Sequence, residues 1–359
     1  MSGQLEHGPQ GPSPKALSRL CVDVIEGERA NRQFGDLLDK AFATVEGAHF
    51  FDDFPVWDER HGHPEQVLRA GVFAGKKRDL ICSSSVRLAD LRIGPSSQLP
   101  VAIIGAVATD PKYRGHGFAS RAVSLCIEWA VERGAAAAFL WGSEHTLYRR
   151  LGFELCGEQV RVPLRAMPRL ASAKRTAVHA GWCSGLAECL KKRPNGLVVH
   201  DSDLIWLKAH KNVRWFWTGD PSRPSAYAAL GRGMDLGGLV HEWGGATEDL
   251  LAVLANIREQ VPESALLGSP RHLRETGLSG NASDCFGLEP EYLCMARILD
   301  PVKLYEAYRP DGVFKRELVS GMNERELTRL FFGPLDRTQS PYAEIGFPFP
   351  LWIWGLDSA

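Results

Sequence analysis

The chain has 359 residues, of which 44% are hydrophobic and 24% charged, and this composition is typical of a globular protein with two or three domains. Lys and Arg number 42 and Asp and Glu number 43, so the formal net charge is −1. That balance argues against a protein dominated by a nucleic-acid-binding surface, because such surfaces need clustered basic charge.

The cysteines and the N-terminal segment favour a reducing compartment. None of the eight cysteines belongs to a C-x-x-C pair, which argues against zinc-ribbon and thioredoxin-like proteins. Residues 1–15 are polar and lack the apolar core of a signal peptide, so we expect a flexible tail. No apolar run approaches the ~20 residues of a membrane helix. We therefore expect a cytoplasmic protein with free thiols and no membrane contact.

Hydrophobic periodicity predicts strands and helices in alternation over the first half of the chain. Between two of these elements lies Phe50–Trp57, which is aromatic, acidic and broken by Pro55. It suits either a loop over a cleft or a loop whose aromatic rings pack down. Asp52 and Asp53 accordingly either attract a cationic substrate or remain solvated charges. Strands are predicted at Leu17–Ile25, Gln66–Phe73, Leu80–Leu88, Val101–Thr109, Ala135–Trp141 and Phe153–Pro163. Helices are predicted at Glu28–Phe42, from the segment 114–120 to about Arg133, and at Glu144–Leu151.

The second half repeats this order of elements. The segment at 140–143, Leu-Trp-Gly-Ser, is matched by Leu-Leu-Gly-Ser at 266–269, and each is followed by a glycine at similar spacing. We interpret the match as an internal repeat. Beyond it the chain ends in an apolar stretch, Phe347–Ala359, which we expect to pack against the rest of the protein rather than extend into solvent. The further predicted elements are strands at Leu236–Trp243, Ala265–Gly268 and Tyr292–Leu299, and helices at Thr247–Gln260, Arg271–Thr276, Val302–Tyr308 and Asn323–Phe331.

The segment 107–120 carries the clearest chemistry. A buried strand runs through a turn into a helix, which directs backbone N–H groups and the positive helix end at one point and favours a phosphate or pyrophosphate. Gly115 and Gly117 let a ligand approach the backbone, and Arg114 adds a cation. A P-loop would need Lys-Ser or Lys-Thr after the second glycine, and a dinucleotide-binding turn would need glycine at Ser120. Neither pattern fits.

Two motifs resemble the signatures of the GNAT superfamily of N-acetyltransferases. Arg-Gly-His-Gly-Phe-Ala at 114–119 is similar to its R/Q-x-x-G-x-G/A loop, and Tyr148 to Phe153 is similar to its Y-x-x-x-G-F segment. The resemblance implies that acetyl-CoA binds as co-substrate without a metal, and that the Tyr148 hydroxyl protonates the departing thiolate. Packing of the Tyr148 ring in the core is the alternative. The implied cofactor-binding residues, of which His116 is expected to face solvent, are Val107, Ala108, Thr109, Arg114, Gly115, His116, Gly117, Phe118, Ala119, Ser120 and Ser143.

The wider layout is similar to tandem-GNAT proteins of the enhanced intracellular survival, aminoglycoside-acetylating type. It implies an α/β (α+β) fold class, with two mixed, mainly antiparallel sheets flanked by helices and a small C-terminal α/β element. We expect a catalytic domain at 16–165, a degenerate copy at 175–290 and a shortened sterol-carrier-like remnant with the docking tail at 291–359. The second copy has no Arg before two spaced glycines, so we expect it not to bind coenzyme A.

Several sequence positions are candidates for the general base that the amine acceptor needs. They are Asp52, Asp53, His145 and, by the resemblance, the terminal carboxylate of Ala359, whose alternative is a solvated end on a packed tail. His61 and His63 are expected in a surface loop rather than at a metal.

The expected reaction is direct transfer to a small-molecule amine, since no cysteine lies in either signature. A protein or peptide acetyltransferase and a non-catalytic acyl-CoA-binding regulator remain alternatives. The oligomeric state stays open, a homo-oligomer included.

Overall fold

The computed structural model describes residues 20–43, 45–63, 65–93, 97–278, 289–309, 319, 321–334 and 347–358. Strands and helices alternate along both halves of the chain. The strands are β1 (Leu20–Val24), β2 (Val67–Ala74), β3 (Asp79–Arg92), β4 (Gln98–Thr109), β5 (Ala137–Leu140), β6 (Glu154–Cys156), β7 (Val160–Pro163), β8 (His179–Ala180), β9 (Arg214–Asp220), β10 (Arg223–Arg232), β11 (Asp235–Gly245), β12 (Ala265–Gly268) and β13 (Cys294–Ile298).

The helices follow the amphipathic patterns of the sequence, and within the described residues none is both long and apolar enough to cross a membrane. Short 3₁₀ turns at 55–57, 111–113, 164–166, 168–172 and 201–203 supplement them. The α-helices are α1 (Glu28–Phe42), α2 (Phe50–Asp53), α3 (Phe118–Glu132), α4 (His145–Arg149), α5 (Leu186–Lys191), α6 (Leu204–Ala209), α7 (Thr247–Gln260), α8 (Pro270–Glu275), α9 (Pro301–Tyr308) and α10 (Glu324–Phe332).

Two mixed sheets organise the molecule. The first has the strand order β1-β2-β3-β4-β5-β13-β6 and the second β7-β12-β11-β10-β9-β8. In each sheet one described pair is parallel, β4 with β5 and β11 with β12, and the other described pairs are antiparallel. Helix α3 packs on β2, β3 and β4, and α7 packs on β9, β10 and β11. This arrangement confirms the predicted fold class.

The sheets cross the domain boundaries that we expect from the sequence. Strand β7, inside the expected first domain, pairs with β12 of the second sheet. Strand β13, inside the expected C-terminal element, lies between β5 and β6 of the first sheet. We call the first sheet with its helices the first lobe, and the second sheet with its helices the second lobe. Each lobe therefore contains one strand from outside its contiguous segment.

The single strand predicted at Phe153–Pro163 is wrong, because the chain turns within it. Gly157 adopts a left-handed φ of 64°, and its N–H donates to the carbonyls of Phe332 and Gly333. Left-handed backbone suits glycine and interrupts a strand. As a result, β6 ends in the first sheet and β7 starts in the second.

The predicted loop at Phe50–Trp57 is instead a short helix followed by a 3₁₀ turn, and it is largely buried. Trp57 is fully buried in the core beneath α1. The aromatic rings thus pack down, while Phe50 and Phe54 also border the cavity described below.

An apolar core joins the two sheets and the C-terminal tail. One cluster contains Phe139 of β5, Leu266 of β12 and Trp352 of the tail. Trp352 and Trp354 are each 1% exposed, so the tail is docked. Apolar burial on this scale is the dominant favourable term in folding, which ties both lobes and the tail into one body.

Candidate active site

A β-bulge in β4 sets the geometry of the site. Ser83 of β3 lies opposite Ala108, but Ser85 lies opposite Gly105, so two residues of β4 face one of β3. Ala106, in the bulge, has a left-handed φ of 51°, and its carbonyl accepts a 3.0 Å hydrogen bond from the Ser83 hydroxyl. A bulge bends its strand and redirects the backbone that follows.

A cavity of about 810 Å³ opens where β4 and β5 separate. Their parallel pairing reaches Ile104 and Leu140, and both residues line the cavity. A volume of this size is typical of small-molecule sites. Every residue of the implied cofactor set except His116 lines it: Val107, Ala108, Thr109, Arg114, Gly115, Gly117, Phe118, Ala119, Ser120 and Ser143.

The loop at 113–117 has the open geometry that an anion needs. Gly115 and Gly117 have φ values of 79° and 75°, and a Cβ added at either would meet nothing within 4 Å. Gly117 is the N-cap of α3, so the N–H groups of the first helical turn face this end of the cavity. The Arg114 Nε donates to the Thr109 carbonyl at 3.3 Å, and Arg150 adds a second exposed guanidinium to the lining.

His116 belongs to this loop but does not line the cavity. Its side chain is exposed, as expected, and its ring stacks on Phe118 with centroids 5.7 Å apart. The His116 Nδ1 lies 2.8 Å from the Arg114 carbonyl. The imidazole therefore packs against the loop on its solvent-exposed side.

Tyr148 stands in the wall of the cavity. It is 6% exposed, and its ring packs so closely on Gly142 that a Cβ there would lie 2.7 Å from Tyr148 Cε2. Burial, with smaller contributions from Glu144 and Cys82, raises the pKa of Tyr148 to about 12. The hydroxyl is therefore neutral and able to donate a proton at neutral pH.

Cys82 lies beneath the same wall as a buried thiol. Its Sγ accepts a 3.1 Å hydrogen bond from the Thr109 hydroxyl, and it does not line the cavity. Burial raises the pKa of the Cys82 thiol to about 11. A thiol held neutral and enclosed is a poor nucleophile.

Asp52 and Asp53, which the sequence offers as substrate-binding residues, do not line the cavity. Asp52 pairs with Lys211 at 2.7 Å, and Asp53 is 1% exposed. The Asp53 carboxylate accepts hydrogen bonds from the Asn212 side chain at 2.6 Å and the Met234 N–H at 2.7 Å. Its oxygens are thus used to join the first lobe to the second.

The carboxylates that do line the cavity are Glu144 and Asp235, and His145 does not line it. Glu144 is the N-cap of α4, next to the Tyr148 signature, where the motif could have identified it. Asp235 comes from the start of β11 in the second lobe. No local sequence signal links it to the first-lobe motifs.

Arg232 ties the C-terminal tail to the cavity wall. This buried guanidinium donates to the carbonyls of Gly355 and Ser358, and pairs with Asp235 at 2.6 Å. It also lies 4.4 Å above the ring of Phe54, which lines the cavity. Ala359 lies outside the described residues, but its neighbour Ser358 is held in this cluster.

In the second lobe the tail packs against β11 and against α8, which lies in the segment that we interpret as a repeat of the Tyr148 region. Gly268 contacts Leu273 as Gly142 contacts Tyr148, so a leucine stands where the first lobe has its tyrosine. The Trp354 ring packs 5.5 Å from that of Trp243 in β11, and the Gly355 N–H donates to the His241 carbonyl at 3.3 Å. The tail thus hydrogen-bonds to β11 just beyond the last residue of β11 that pairs with β12.

Comparison with known proteins finds a family match within the first lobe. Residues 28–156 match the model of the acetyltransferase (GNAT) domain. No curated protein matches the sequence significantly. Three similar solved structures are described by their sources as a probable N-acyltransferase from Enterococcus faecalis V583, a GCN5-related N-acetyltransferase from Kribbella flavida and Eis1 from Mycobacterium abscessus.

The structural likeness spans both lobes. Sequence identities to these three are 17%, 18% and 14%, with TM-scores of 0.57, 0.55 and 0.55. In each case 80% of this chain is covered, together with 75%, 73% and 76% of the other chain. At such identities the likeness shows the fold. The sequence match to the acetyltransferase (GNAT) domain covers residues 28–156.

Proposed function

We propose that this protein transfers an acyl group, acetyl by default, from acyl-CoA directly to an amine in a ternary complex. The observation that carries the proposal is a single cavity lined by the glycine loop, by β4 beyond its bulge and by Tyr148. These are the three parts that such a transfer needs: an anion site, an edge for the co-substrate's arm and a proton donor.

The lining residues fit acyl-CoA as co-substrate. The pyrophosphate would lie on the N-terminal turn of α3 beside Arg114 and Arg150, where helix N–H groups and two cations favour negative charge. The pantetheine arm would run along Val107 to Thr109 as an added strand. This orientation brings the thioester toward Tyr148.

In the proposed reaction the amine nitrogen attacks the thioester carbonyl, and the C–S bond then breaks as the tetrahedral adduct collapses. Tyr148 Oη donates its proton to the departing sulfur. No cysteine lies among the described residues that line the cavity, which supports direct transfer over a covalent enzyme intermediate.

We propose the Ala359 carboxylate as the group that takes the amine proton. Support comes from Ser358, whose carbonyl is bound by Arg232, the partner of cavity-lining Asp235. Glu144 and Asp235 are the other candidates, because both line the cavity.

The test is release of free thiol from acetyl-CoA against a panel of amines, with Tyr148→Phe as the variant. Loss of a general acid costs typically 10²–10⁴-fold, so we expect kcat to fall at least about 10²-fold with little change in KM for acetyl-CoA. Tyr292→Phe, at an exposed tyrosine that does not line the cavity, is the matched control. Unchanged kcat in Tyr148→Phe would refute the assigned role.

A second readout separates catalysis from binding. Acetyl-CoA should raise the melting temperature of the wild type and of Tyr148→Phe alike. Thermal stabilisation without thiol release on any amine would refute the transferase and favour a non-catalytic binder.

A further inference from the structure

One part of the cavity lining, which we call the aromatic end, comes from outside the glycine loop, β4 and β5. It is formed by the end of α1, by α2 with the residue after it, and by the turn that begins β11. The lining residues there are Ala41, Phe42, Phe50, Phe54, Met234 and Asp235. If acyl-CoA occupies the loop and β4, as the proposed function holds, the acceptor amine must enter against these walls.

Three phenylalanines form a continuous apolar face at this end. The rings of Phe50 and Phe54 stack with centroids 4.6 Å apart, and Phe42 lies 5.2 Å from Phe50. Phe50 and Phe54 are buried, whereas Phe42 is 37% exposed and stands at the rim. An aromatic face of this kind binds a flat apolar group well, since ring pairs gain about 0.5–1.5 kcal/mol beyond their buried area.

Negative charge at this end is sparse. Among the described residues that line it, Asp235 is the one carboxylate, and its side chain is 49% exposed. One Asp235 oxygen already pairs with Arg232 at 2.6 Å, and the other accepts from the Leu236 N–H at 2.6 Å. One ammonium group can still approach this carboxylate, but several cannot.

A fixed cation, Arg232, lies beside both Asp235 and Phe54. The Arg232 guanidinium covers one face of Phe54 at 4.4 Å, so that face is not available for a cation–π contact with substrate. A polycationic acceptor would bring further ammonium groups beside Arg232, whereas the cavity's other described carboxylate, Glu144, neighbours Tyr148, and the Ala359 carboxylate is proposed for the reacting amine. Like charges in a partly buried site repel strongly.

We propose that the acceptor is a primary monoamine carried on a flat apolar body, an arylalkylamine, rather than a polyamine or aminoglycoside. The aromatic body lies against Phe42, Phe50 and Phe54. Asp235 attracts the single ammonium group into the cavity, and the nitrogen then reaches the thioester beside Tyr148 as the free amine.

The experiment compares kcat/KM, at saturating acetyl-CoA, for phenethylamine, ethanolamine and spermidine. Phenethylamine and ethanolamine each carry one amine, so the ratio of their kcat/KM values measures the contribution of the apolar body. Spermidine tests the effect of added positive charge. We expect phenethylamine to exceed both by at least tenfold, since even one methylene in an apolar pocket is worth roughly 10–200-fold.

Phe42→Ala is the diagnostic variant, because a residue 37% exposed at a helix end can be truncated without unfolding the protein. We expect kcat/KM for phenethylamine to fall about tenfold, with partial rescue in Phe42→Leu and little change for ethanolamine. Val131→Ala, at an exposed apolar residue of α3 outside the cavity, should change none of the three values.

The outcomes separate this inference from the proposed function. Thiol release that favours spermidine or ethanolamine, with Phe42→Ala indistinguishable from wild type, overturns the arylalkylamine assignment and leaves the acyltransferase intact. The absence of release with every amine, while acetyl-CoA still stabilises the fold, overturns both.

Discussion

At the scale of single residues, Tyr148 stands in a desolvated wall of the cavity. The thioester sulfur that it would protonate is proposed to lie against the same wall. Burial raises the pKa of Tyr148 to about 12, and it raises the pKa of the nearby Cys82 thiol to about 11. In water a thiol, with a pKa near 8.5, is far more acidic than tyrosine, near 10. Desolvation of a departing thiolate at this wall would raise its pKa in the same direction, so the pKa difference between Tyr148 and the departing thiol stays near the small difference found in water.

The raised pKa of Tyr148 predicts how kcat responds to alkaline pH. Tyr148 must be protonated to act as an acid, and a pKa of about 12 keeps it so throughout the accessible range. We therefore expect kcat to show no fall between pH 7 and pH 9.5. The measurement is kcat against pH at saturating acetyl-CoA and amine, and a decline centred below pH 9.5 would contradict the assignment.

At the scale of elements, the β4 bulge holds a backbone conformation that alanine disfavours. A left-handed φ costs a non-glycine residue roughly 1–2 kcal/mol. Ala106 adopts it while its carbonyl accepts from the buried Ser83 hydroxyl at 3.0 Å. The hydrogen bond offsets the strain and fixes the part of β4 along which the pantetheine arm would lie.

Ser83→Ala should therefore weaken co-substrate binding more than it slows the chemical step. We expect KM for acetyl-CoA to rise several-fold, with kcat within about twofold of wild type. Ser84→Ala is the matched control, because the Ser84 hydroxyl contacts the Cys126 thiol at 3.4 Å and not β4's bulge. Steady-state kinetics with varied acetyl-CoA measure both values.

Ala106→Gly in the Ser83→Ala background separates positioning from general damage. Glycine occupies left-handed φ without the steric cost, so the double variant should regain most of the wild-type KM. If the double variant is no better than Ser83→Ala alone, the bulge is not what Ser83 holds.

How far the sequence predicts each element depends on whether its determinants are local. Helix α3 is predicted closely because its apolar spacing and Gly134 lie within the segment, and the loop at 114–119 is a contiguous motif. The division of 153–163 between two sheets is not predictable in this way, because the strands that pair with β6 and β7 come from residues 294 and 265 onward. Asp235 was missed for the same reason.

At the scale of the whole molecule, a buried cluster of charges joins the two lobes to the tail. Arg193 contacts Asp357 at 2.6 Å and Glu242 at 2.8 Å, and Arg87 of β3 lies 3.7 Å from Asp357. The Arg193 Nη2 and Glu242 Oε2 atoms nevertheless lack hydrogen-bond geometry. Burial therefore prevails over the attraction of Arg193 and raises the pKa of Glu242 to about 8.

This shift makes stability depend on pH with a definite sign. A carboxyl group whose pKa is higher in the folded protein binds more protons there, so folding is disfavoured increasingly as pH rises from the unfolded pKa, near 4.5, to about 8. Burial lowers the pKa values of His210, His241 and His272, which stabilises the fold with rising pH in wild type and variant alike. We therefore expect the melting temperature of Glu242→Gln, which mimics the neutral form, to rise relative to that of the wild type between pH 5 and pH 8.

Thermal unfolding across this pH range, with Glu248→Gln at an exposed residue of α7 as control, tests the assignment. The control should keep the wild-type slope. A Glu242→Gln protein whose melting temperature changes with pH in parallel with the wild type would show that Glu242 does not contribute this dependence.

The same cluster fixes where the tail ends, and this gives a test of the terminal carboxylate. Trp354 is buried against Trp243, Asp357 is bound by Arg193, and the Ser358 carbonyl is bound by Arg232, so the residues that precede Ala359 are held in place. Adding one glycine after Ala359 would displace the carboxylate by one residue, up to ~3.5 Å, and leave the buried contacts intact.

We expect the extended protein to bind acetyl-CoA normally, judged by its thermal shift, but to lose at least about tenfold in kcat. A base displaced by this distance no longer reaches the amine directly, because proton transfer requires heavy atoms about 2.6–3.2 Å apart. Deletion of Ala359 moves the carboxylate the other way and should have a similar effect. If both proteins retain wild-type kcat, the tail serves to join the lobes, and Glu144 and Asp235 become the carboxylates to test as the base.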